Sequence, residues 1–254
     1  PEVMKLQGQF PVIFLTLKDM RGAILDSTTE MFRNTIKALY AEHRYLLQES
    51  GLLEEEIQDF RAILAGKADI TNYTQALLNL SRYIIQIKRK KVIILIDEYD
   101  TPIQHAYIQG FYNEWIEIMR AFLGNALKTN SYLERGVLTG ITRVAKEGLF
   151  SGLNNVKIYS LLDPGFEDKF GFTEEEVDYL LTKAEIDAIH YASIKEWYNG
   201  YLCYKTTIYN PYSMVCFIDE AVKSGEVKEA LKPYWSNTGS HELLIKLLRE
   251  QFTE

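Results

Sequence analysis

Short, almost uninterrupted apolar runs alternate along the chain with longer segments in which apolar residues recur at helical spacing. The apolar runs predict strands of a parallel sheet, at residues 10–17, 92–96, 135–140 and 156–160. The longer segments predict amphipathic helices, at about residues 27–48, 54–64, 71–87 and 111–128. Because strands and helices alternate, the pattern predicts an α/β fold with a parallel-sheet core.

Two of the apolar runs are long enough to predict how deeply their strands lie in the sheet. Residues 92–96 are all aliphatic, so we expect that strand to be buried on both faces. Residues 10–17 are apolar almost throughout, so we expect a strand inside the sheet rather than at its edge. Thr101 and Pro102 are expected to interrupt the chain soon after the aliphatic strand.

The pattern changes from about residue 166. Thr173 is followed by three glutamates and predicts the start of an acidic helix, and residues 200–209 resemble a small hairpin. Pro211 after Asn210 predicts a further helix start. The sequence therefore predicts two domains: a core at residues 1–165 and a smaller, mostly helical domain at 166–254.

Three carboxylates lie within four positions at the end of the aliphatic strand, at Asp97, Glu98 and Asp100. Ligands of open α/β sheets bind beyond the carboxyl ends of the strands. In P-loop NTPases a strand of this kind is the Walker B strand, whose Asp holds the magnesium of a nucleotide while a neighbouring carboxylate orients the attacking water. The alternative is a core strand that runs into an acidic, solvated turn. For Asp100, a turn hydrogen bond with Thr101 is favoured over a supporting role behind the site.

A second candidate site segment follows about forty residues downstream. Thr139 lies where the strand at residues 135–140 ends, which suits a sensor of the nucleotide's γ-phosphate, and Arg143 could meet phosphate charge. The alternative is a core strand with a surface arginine. The phosphate-binding sequence Gly-x-x-x-x-Gly-Lys-Ser/Thr is absent from the 254 residues. We therefore expect this chain by itself to bind ATP poorly.

Composition narrows the class of protein. The net charge of −7 argues against a dominant nucleic-acid or anionic-membrane surface, and no apolar run reaches the ~18–20 residues of a membrane helix. The two cysteines, Cys203 and Cys216, lack metal-ligand spacing, which fits a reduced, cytoplasmic protein. The basic run at 88–91 is typical of a helix end, with nucleic-acid contact as the alternative. The chain opens without Met and suggests an excerpt of a longer protein.

Six ordered segments resemble the bacterial AAA-ATPase-like family, and together they span nearly the whole chain. They lie at residues 11–19, 92–102 (VIILIDEYDTP), 138–155 (LTGITRVAKEGLFSGLNN), 197–201, 209–213 and 233–238. The resemblance implies a P-loop NTPase-like core from which the first strand, P-loop and first helix have been removed. It also implies a PD-(D/E)XK nuclease-like domain that often follows in cis.

The resemblance also implies roles for individual residues. Asp97 matches the Walker B metal carboxylate and Glu98 the catalytic glutamate, while Thr139 and Arg143 match the sensor strand and the basic residue after it. Asn199 stands where the family usually has Asp. The aromatic residues at 197–212 are expected to form the core of the small domain, with a base-stacking platform as the alternative.

Three functions are consistent with these residues. The first is an ATPase that requires Mg²⁺, with ATP and Mg²⁺ expected only when the missing P-loop is restored. The second is a non-hydrolysing interaction or switch module on the same fold, with an unknown protein partner. The third, a DExD-type helicase, is disfavoured because Leu138-Thr139-Gly140 replaces the Ser-Ala-Thr-like motif and because the chain is acidic. We expect no membrane partner, and nucleic-acid binding stays open.

Overall fold

The computed structural model describes residues 2–128, 130–141 and 156–235. These residues divide into two compact units, of which the first ends at Val156 and the second begins at Lys157. The division therefore falls earlier than the boundary predicted after residue 165.

The first unit is built on three parallel strands in the order β1-β2-β3. Its strands are β1 (Val12–Thr16), β2 (Val92–Asp97) and β3 (Leu133–Leu138). Its helices are α1 (Leu25–Glu42), α2 (Glu54–Leu64), α3 (Ile70–Thr74), α4 (Ala76–Lys88), α5 (Thr101–Gln109) and α6 (Tyr112–Leu127). Short 3-10 segments lie at Glu2–Leu6 and Arg44–Leu47. The predicted α/β class is confirmed by this mixed architecture.

The two faces of the sheet differ in how far they are covered. Ile13 on β1 and Ile94 on β2 are fully buried in one continuous core that includes Phe32 of α1, Leu80 of α4 and Phe122 of α6. Side chains alternate between the faces of a strand, so the neighbours of these residues project from the opposite face. That face holds half-buried or exposed apolar side chains, at Val12, Phe14, Ile93, Leu95 and Val137.

The predicted depth of two strands was wrong in the described structure. β2 alternates between fully buried and half-buried positions instead of being buried on both faces. β1 lies at an edge of the three described strands, and its Phe14 side chain is 55% exposed. Apolar composition alone cannot show which face the helices cover, and the helices of the first unit cover one face of the three described strands.

Several helix boundaries differ from the predictions for local reasons. The predicted helix at 27–48 ends at Glu42, after which the chain tightens into a 3-10 turn. The predicted helix at 71–87 is divided at Gln75 into α3 and α4. The expected interruption at Pro102 is instead the first turn of α5, where a proline has no hydrogen bond to lose. Residues 156–160 do not form a strand.

The second unit combines helices with one hairpin. Its elements are α7 (Glu174–Lys183), a 3-10 turn (Ala188–His190), α8 (Tyr191–Tyr198), β4 (Asn199–Cys203), β5 (Thr206–Tyr209) and α9 (Pro211–Ser224). The predicted cap of α7 is present: Thr173 Oγ1 accepts from the Glu176 amide at 3.3 Å, and Glu176 Oε2 accepts from the Thr173 amide at 2.9 Å. The unit has its own apolar core around Met214 and Phe217.

Candidate active site

Asp97 is held between hydroxyl groups of the two neighbouring strand ends. Thr139 Oγ1, directly after β3, donates to Asp97 Oδ1 at 2.6 Å. Thr16 is the last residue of β1, and its Oγ1 lies 3.4 Å from Asp97 Oδ2. Both contacts follow from the parallel register, which pairs Thr16 with Asp97 and Ile96 with Leu138. The carboxylate is thereby oriented while each oxygen keeps further capacity to accept hydrogen bonds or bind a cation.

Thr16 is a site residue that sequence reasoning missed. Its signal was available, since it is a hydroxyl residue at the carboxyl end of an apolar run, as Thr139 is. The sequence does not show that β1 and β3 pair with β2 on either side, and this pairing is needed to place Thr16 in the site. Only the register brings Thr16 to the carboxylate of Asp97.

Glu98 lies immediately beyond β2 in a left-handed backbone conformation, with φ of +51°. That conformation costs an L-residue about 1–2 kcal/mol and tends to persist where function or surrounding structure requires it. Thr101 Oγ1 donates to Glu98 Oε2 at 2.9 Å. The Thr101 hydroxyl therefore engages Glu98, while Asp100 lies in the turn between β2 and α5.

Asp100 is fully buried, in contrast to the half-buried Asp97 and Glu98. Its Oδ2 accepts from Gln104 Nε2 of α5 at 2.6 Å. Its side chain also lies against the chain leaving β3, where a Cβ on residue 140 would come within 2.5 Å of Asp100 Oδ1. The structure thus places Asp100 behind the site instead of in a solvated turn.

The backbones leaving the strands are joined to one another. The Tyr99 amide donates to the Thr139 carbonyl at 3.1 Å, and the Thr139 amide donates to the Ile96 carbonyl at 2.9 Å. On the other side, the Leu17 amide donates to the Asp97 carbonyl at 2.9 Å. The structure therefore brings Asp97, Glu98 and Thr139 together at one edge of the sheet. The fourth predicted site residue, Arg143, lies outside the described residues.

The chemistry of these side chains fits part of a magnesium site. Mg²⁺ prefers oxygen ligands and is usually bound through one or two carboxylates together with substrate phosphates and water. Asp97 can supply one carboxylate, with hydroxyls of Thr16 and Thr139 beside it. Within the described ranges, no cluster of three or more His, Cys, Asp or Glu side chains could hold a metal without such a substrate.

The basic run after α4 has local roles in the structure. Lys88 Nζ lies 5.3 Å from the centre of the Tyr45 ring, and Lys90 Nζ donates to the Gln9 carbonyl at 2.9 Å. Arg89 is the left-handed residue that ends α4. These contacts agree with the predicted helix end, and nucleic-acid contact at this run stays the untested alternative.

Asn199 belongs to a polar cluster in the second unit. Its Nδ2 lies 3.4 Å from Glu174 Oε2 and 3.3 Å from the Tyr209 hydroxyl. Glu174 also accepts from Lys195 Nζ at 2.7 Å and from the Tyr209 hydroxyl at 3.0 Å. The hydrogen bond from Lys195 lowers the pKa of the Glu174 carboxyl, and the bond from Tyr209 lowers it further. Burial raises the pKa of Tyr209 to about 12, with a further contribution from Glu174.

The aromatic residues at 197–212 divide between core and surface. Tyr198 and Tyr209 are buried in the core of the second unit. Trp197, Tyr201 and Tyr212 are each about half exposed. The predicted core role therefore holds for Tyr198 and Tyr209 but not for Trp197, Tyr201 and Tyr212.

Comparison with known proteins adds a family and one relative. A family model described as predicted AAA-ATPase matches residues 1–150, which is more than half of the chain. An "Uncharacterized protein in vnfD 5'region" from Azotobacter chroococcum mcd 1 is 29% identical over 163 residues. The match covers 64% of this chain and 30% of that relative, so the chain spans about a third of the relative's length. No solved structure matches the chain significantly.

Proposed function

The chain belongs to the AAA-ATPase-like family, described as predicted AAA-ATPases, and from this membership we propose that its first unit forms the magnesium and water side of an ATP-hydrolysing P-loop NTPase site. The observation that carries the proposal is the contact between Asp97 and Thr139. A hydroxyl after β3 donates to the carboxylate that ends β2 at 2.6 Å, where a Walker B carboxylate and a sensor residue are expected to meet.

Each residue has a distinct role in this proposal. Asp97 holds Mg²⁺, which when bound would neutralise charge on the phosphate oxygens. Thr16 and Thr139 keep the Asp97 carboxylate oriented. Glu98 holds the attacking water, and Thr101 fixes one of its carboxylate oxygens while the other can accept from that water. On the basis of the family resemblance, we assign Arg143 the role of interacting with the negative charge of the phosphates.

The positions of Asp97 and Glu98 suit two different tasks. They are consecutive residues, but the left-handed backbone at Glu98 ends the strand alternation and turns the chain towards α5. Phosphoryl transfer is accelerated mainly by positioning and electrostatic stabilisation. Two carboxylates with separate hydroxyl partners provide that positioning without competing for one ligand.

A switch module that binds a partner without hydrolysis is the second candidate. The sequence Gly-x-x-x-x-Gly-Lys-Ser/Thr supplies much of the binding to nucleotide phosphates, so its presence or absence upstream in the gene distinguishes this candidate from the ATPase. A nuclease-like domain in cis, an unknown protein partner and a cytoplasmic location remain predictions from the sequence. The described helices include none that could cross a membrane.

The two candidates can be separated by the upstream gene sequence and by nucleotide binding. We expect the 254-residue chain to show little Mg-ATP binding by calorimetry, and micromolar affinity would contradict the need for a P-loop. We expect a phosphate-binding sequence of the P-loop type within one strand–turn–helix unit upstream of residue 1. Its absence from the gene would favour the switch module.

Replacing Glu98 tests the catalytic assignment in a polypeptide extended to include that upstream sequence. We expect Glu98→Gln to retain ATP binding and to lower turnover about 100-fold or more, because the amide cannot take a proton from water. Glu185→Gln is the matched control, since Glu185 is also a glutamate with positive φ, at 57°, and lies in the second unit. Turnover that is unchanged in Glu98→Gln would remove Glu98 from the mechanism.

A further inference from the structure

A carboxylate that is fully buried requires compensation, and Asp100 is such a group. Its side chain has no exposed surface, and its Oδ2 accepts from Gln104 Nε2 at 2.6 Å. Removing a carboxylate from water costs several kcal/mol unless hydrogen bonds replace the lost hydration. A solvated turn would hold an aspartate at far lower cost, so the buried position calls for a structural or functional reason.

Gly140 leaves the space that the Asp100 side chain occupies. A Cβ on residue 140 would lie 2.5 Å from Asp100 Oδ1, 2.8 Å from its Cγ and 2.9 Å from Tyr99 Cε1. Gly140 is not among the glycines with positive φ, so its backbone conformation does not require glycine. The loop after β2, which carries Asp100, closely approaches the loop after β3, and this approach explains a glycine at position 140.

This close contact lies next to the hydrogen bond that joins the two loops. The Tyr99 amide donates to the Thr139 carbonyl at 3.1 Å, one residue before the contact on each loop. The first loop carries Glu98, and the second carries the hydroxyl that donates to Asp97. The separation between Glu98 and Thr139 therefore depends on how these loops pack.

We propose that Asp100 is a positioning residue, whose buried carboxylate packs against Gly140 and fixes Thr139 relative to Glu98. Its catalytic consequence rests on the proposed ATPase function. The packing itself does not, because it concerns only the two loops and α5.

A competing account gives Asp100 a role in α5 alone. Its carbonyl accepts from the amides of Ile103 and Gln104 at 3.1 and 2.8 Å, so it begins that helix. If this were its whole role, replacing its side chain would weaken the first unit generally. It would not act selectively on the bond between Tyr99 and Thr139.

Native-state amide hydrogen exchange on the 254-residue chain separates these accounts. We expect Asp100→Ser, which shortens the packed side chain, and Gly140→Ala to speed exchange of the Tyr99 amide about tenfold. The Leu17 amide, which bonds to the Asp97 carbonyl on the other side of the site, should change by about twofold or less. Equal acceleration of both amides would overturn the proposal.

Gly124→Ala is the matched control for the glycine substitution. Gly124 lies within α6, and a Cβ there would meet nothing within 4 Å. We expect this variant to leave the Tyr99 amide unchanged. We expect the double variant Asp100→Ser/Gly140→Ala to exchange more slowly at Tyr99 than the product of the single effects predicts, since the shorter side chain leaves room for the new methyl group.

Activity of the extended polypeptide provides the functional test. We expect Asp100→Ser to lower kcat about tenfold while KM for ATP changes about twofold or less, because a misplaced water-holding group affects the chemical step. If ATP is hydrolysed and both Asp100→Ser and Gly140→Ala keep wild-type kcat, the positioning role fails while the ATPase function stands. If the wild type does not hydrolyse ATP, the proposed function fails, and hydrogen exchange still decides whether Asp100 positions the loops.

Discussion

Thr16 and Thr139 act on the same carboxylate from opposite sides, but their contacts differ in strength. The 2.6 Å bond from Thr139 to Asp97 Oδ1 has the length of a strong charge-assisted hydrogen bond, whereas the 3.4 Å contact from Thr16 is at the limit of one. Thr139 should therefore dominate the orientation of Asp97.

Replacing each threonine with the nearly isosteric valine tests this difference. We expect Thr139→Val to lower the free energy of unfolding by about 1 kcal/mol, because a hydrogen bond to a charged group is lost, and Thr16→Val to have a smaller effect. The measurement is urea denaturation of the 254-residue chain. Thr35→Val is the control, since Thr35 is half-buried and its Oγ1 donates to the Met31 carbonyl within α1. A larger effect for Thr16 than for Thr139 would contradict the assignment.

Asn199 shows how one amide can replace a carboxylate in a polar cluster. Its Nδ2 lies near Glu174 Oε2, and an aspartate at this position would bring a second negative charge close to that carboxylate. The amide instead adds a donor to the group formed by Lys195 and Tyr209. The departure from the family's usual aspartate therefore suits the local arrangement of Glu174.

This polar cluster predicts how the stability of the second unit depends on pH. The folded pKa of Glu174 is lowered, so its contribution is present above the unfolded pKa and is lost as the pH falls through the folded pKa. The folded pKa of Tyr209 is raised, so its contribution is present below the unfolded value of about 10 and is lost as the pH rises towards about 12.

The predicted loss of stability at alkaline pH can be tested with Tyr209→Phe. We expect this variant to be less stable than the wild type at neutral pH but to lose less stability between about pH 10 and 12, because no phenol remains to ionise. Denaturation midpoints followed by tryptophan fluorescence would measure this. Tyr179→Phe is the control, since the Tyr179 side chain is 63% exposed. Parallel declines of the wild type and Tyr209→Phe would show that Tyr209 does not cause the alkaline loss.

At the scale of elements, β1 illustrates how a nearly uniform apolar strand acquires two different faces. Ile13 and Leu15 contact the helical core, while Val12 and Phe14, which alternate with them, remain about half exposed. The same alternation places Thr16 on the less covered face, with its partner Asp97. The site thus lies at the carboxyl end of the face that the helices of the first unit leave open.

Adjacent residues of β1 provide a matched pair of substitutions. We expect Ile13→Ala to cost about 2–5 kcal/mol of unfolding free energy, since it empties space in a closed core, and Val12→Ala to cost about 1 kcal/mol or less. Urea denaturation of both variants gives the comparison. Similar losses in the two variants would mean that the open face of β1 is covered in solution.

At the scale of the whole molecule, the proposed chemistry belongs to one unit. All described site residues lie in the first unit, which also contains the whole segment that matches the AAA-ATPase-like family. The second unit has its own apolar core and its own polar cluster. Its contribution to the function is therefore a separate question from the ATPase assignment.

The sequence by itself determined the type of most elements and the nature of the acidic strand end. Apolar periodicity located α2 with its observed bounds and all three described strands of the first unit to within a few residues. It could do so because the spacing of apolar residues along the chain reflects which side chains of a helix or strand are buried. The carboxylates of Asp97 and Glu98 and the hydroxyl of Thr139 were visible for the same reason. Asp97 ends β2, Glu98 follows it, and Thr139 directly follows β3.

Only the tertiary structure decided which face of the sheet is covered, which hydroxyls reach Asp97 and why Asp100 is buried. These features join residues that are far apart in sequence, such as Thr16 with Asp97 and Asp100 with Gly140. Strand register and loop packing set such contacts, and both depend on how the helices pack on the sheet. A local pattern does not show that packing. The sequence predicts Asp100 as a turn residue, and the structure shows that this turn residue is buried beneath the site.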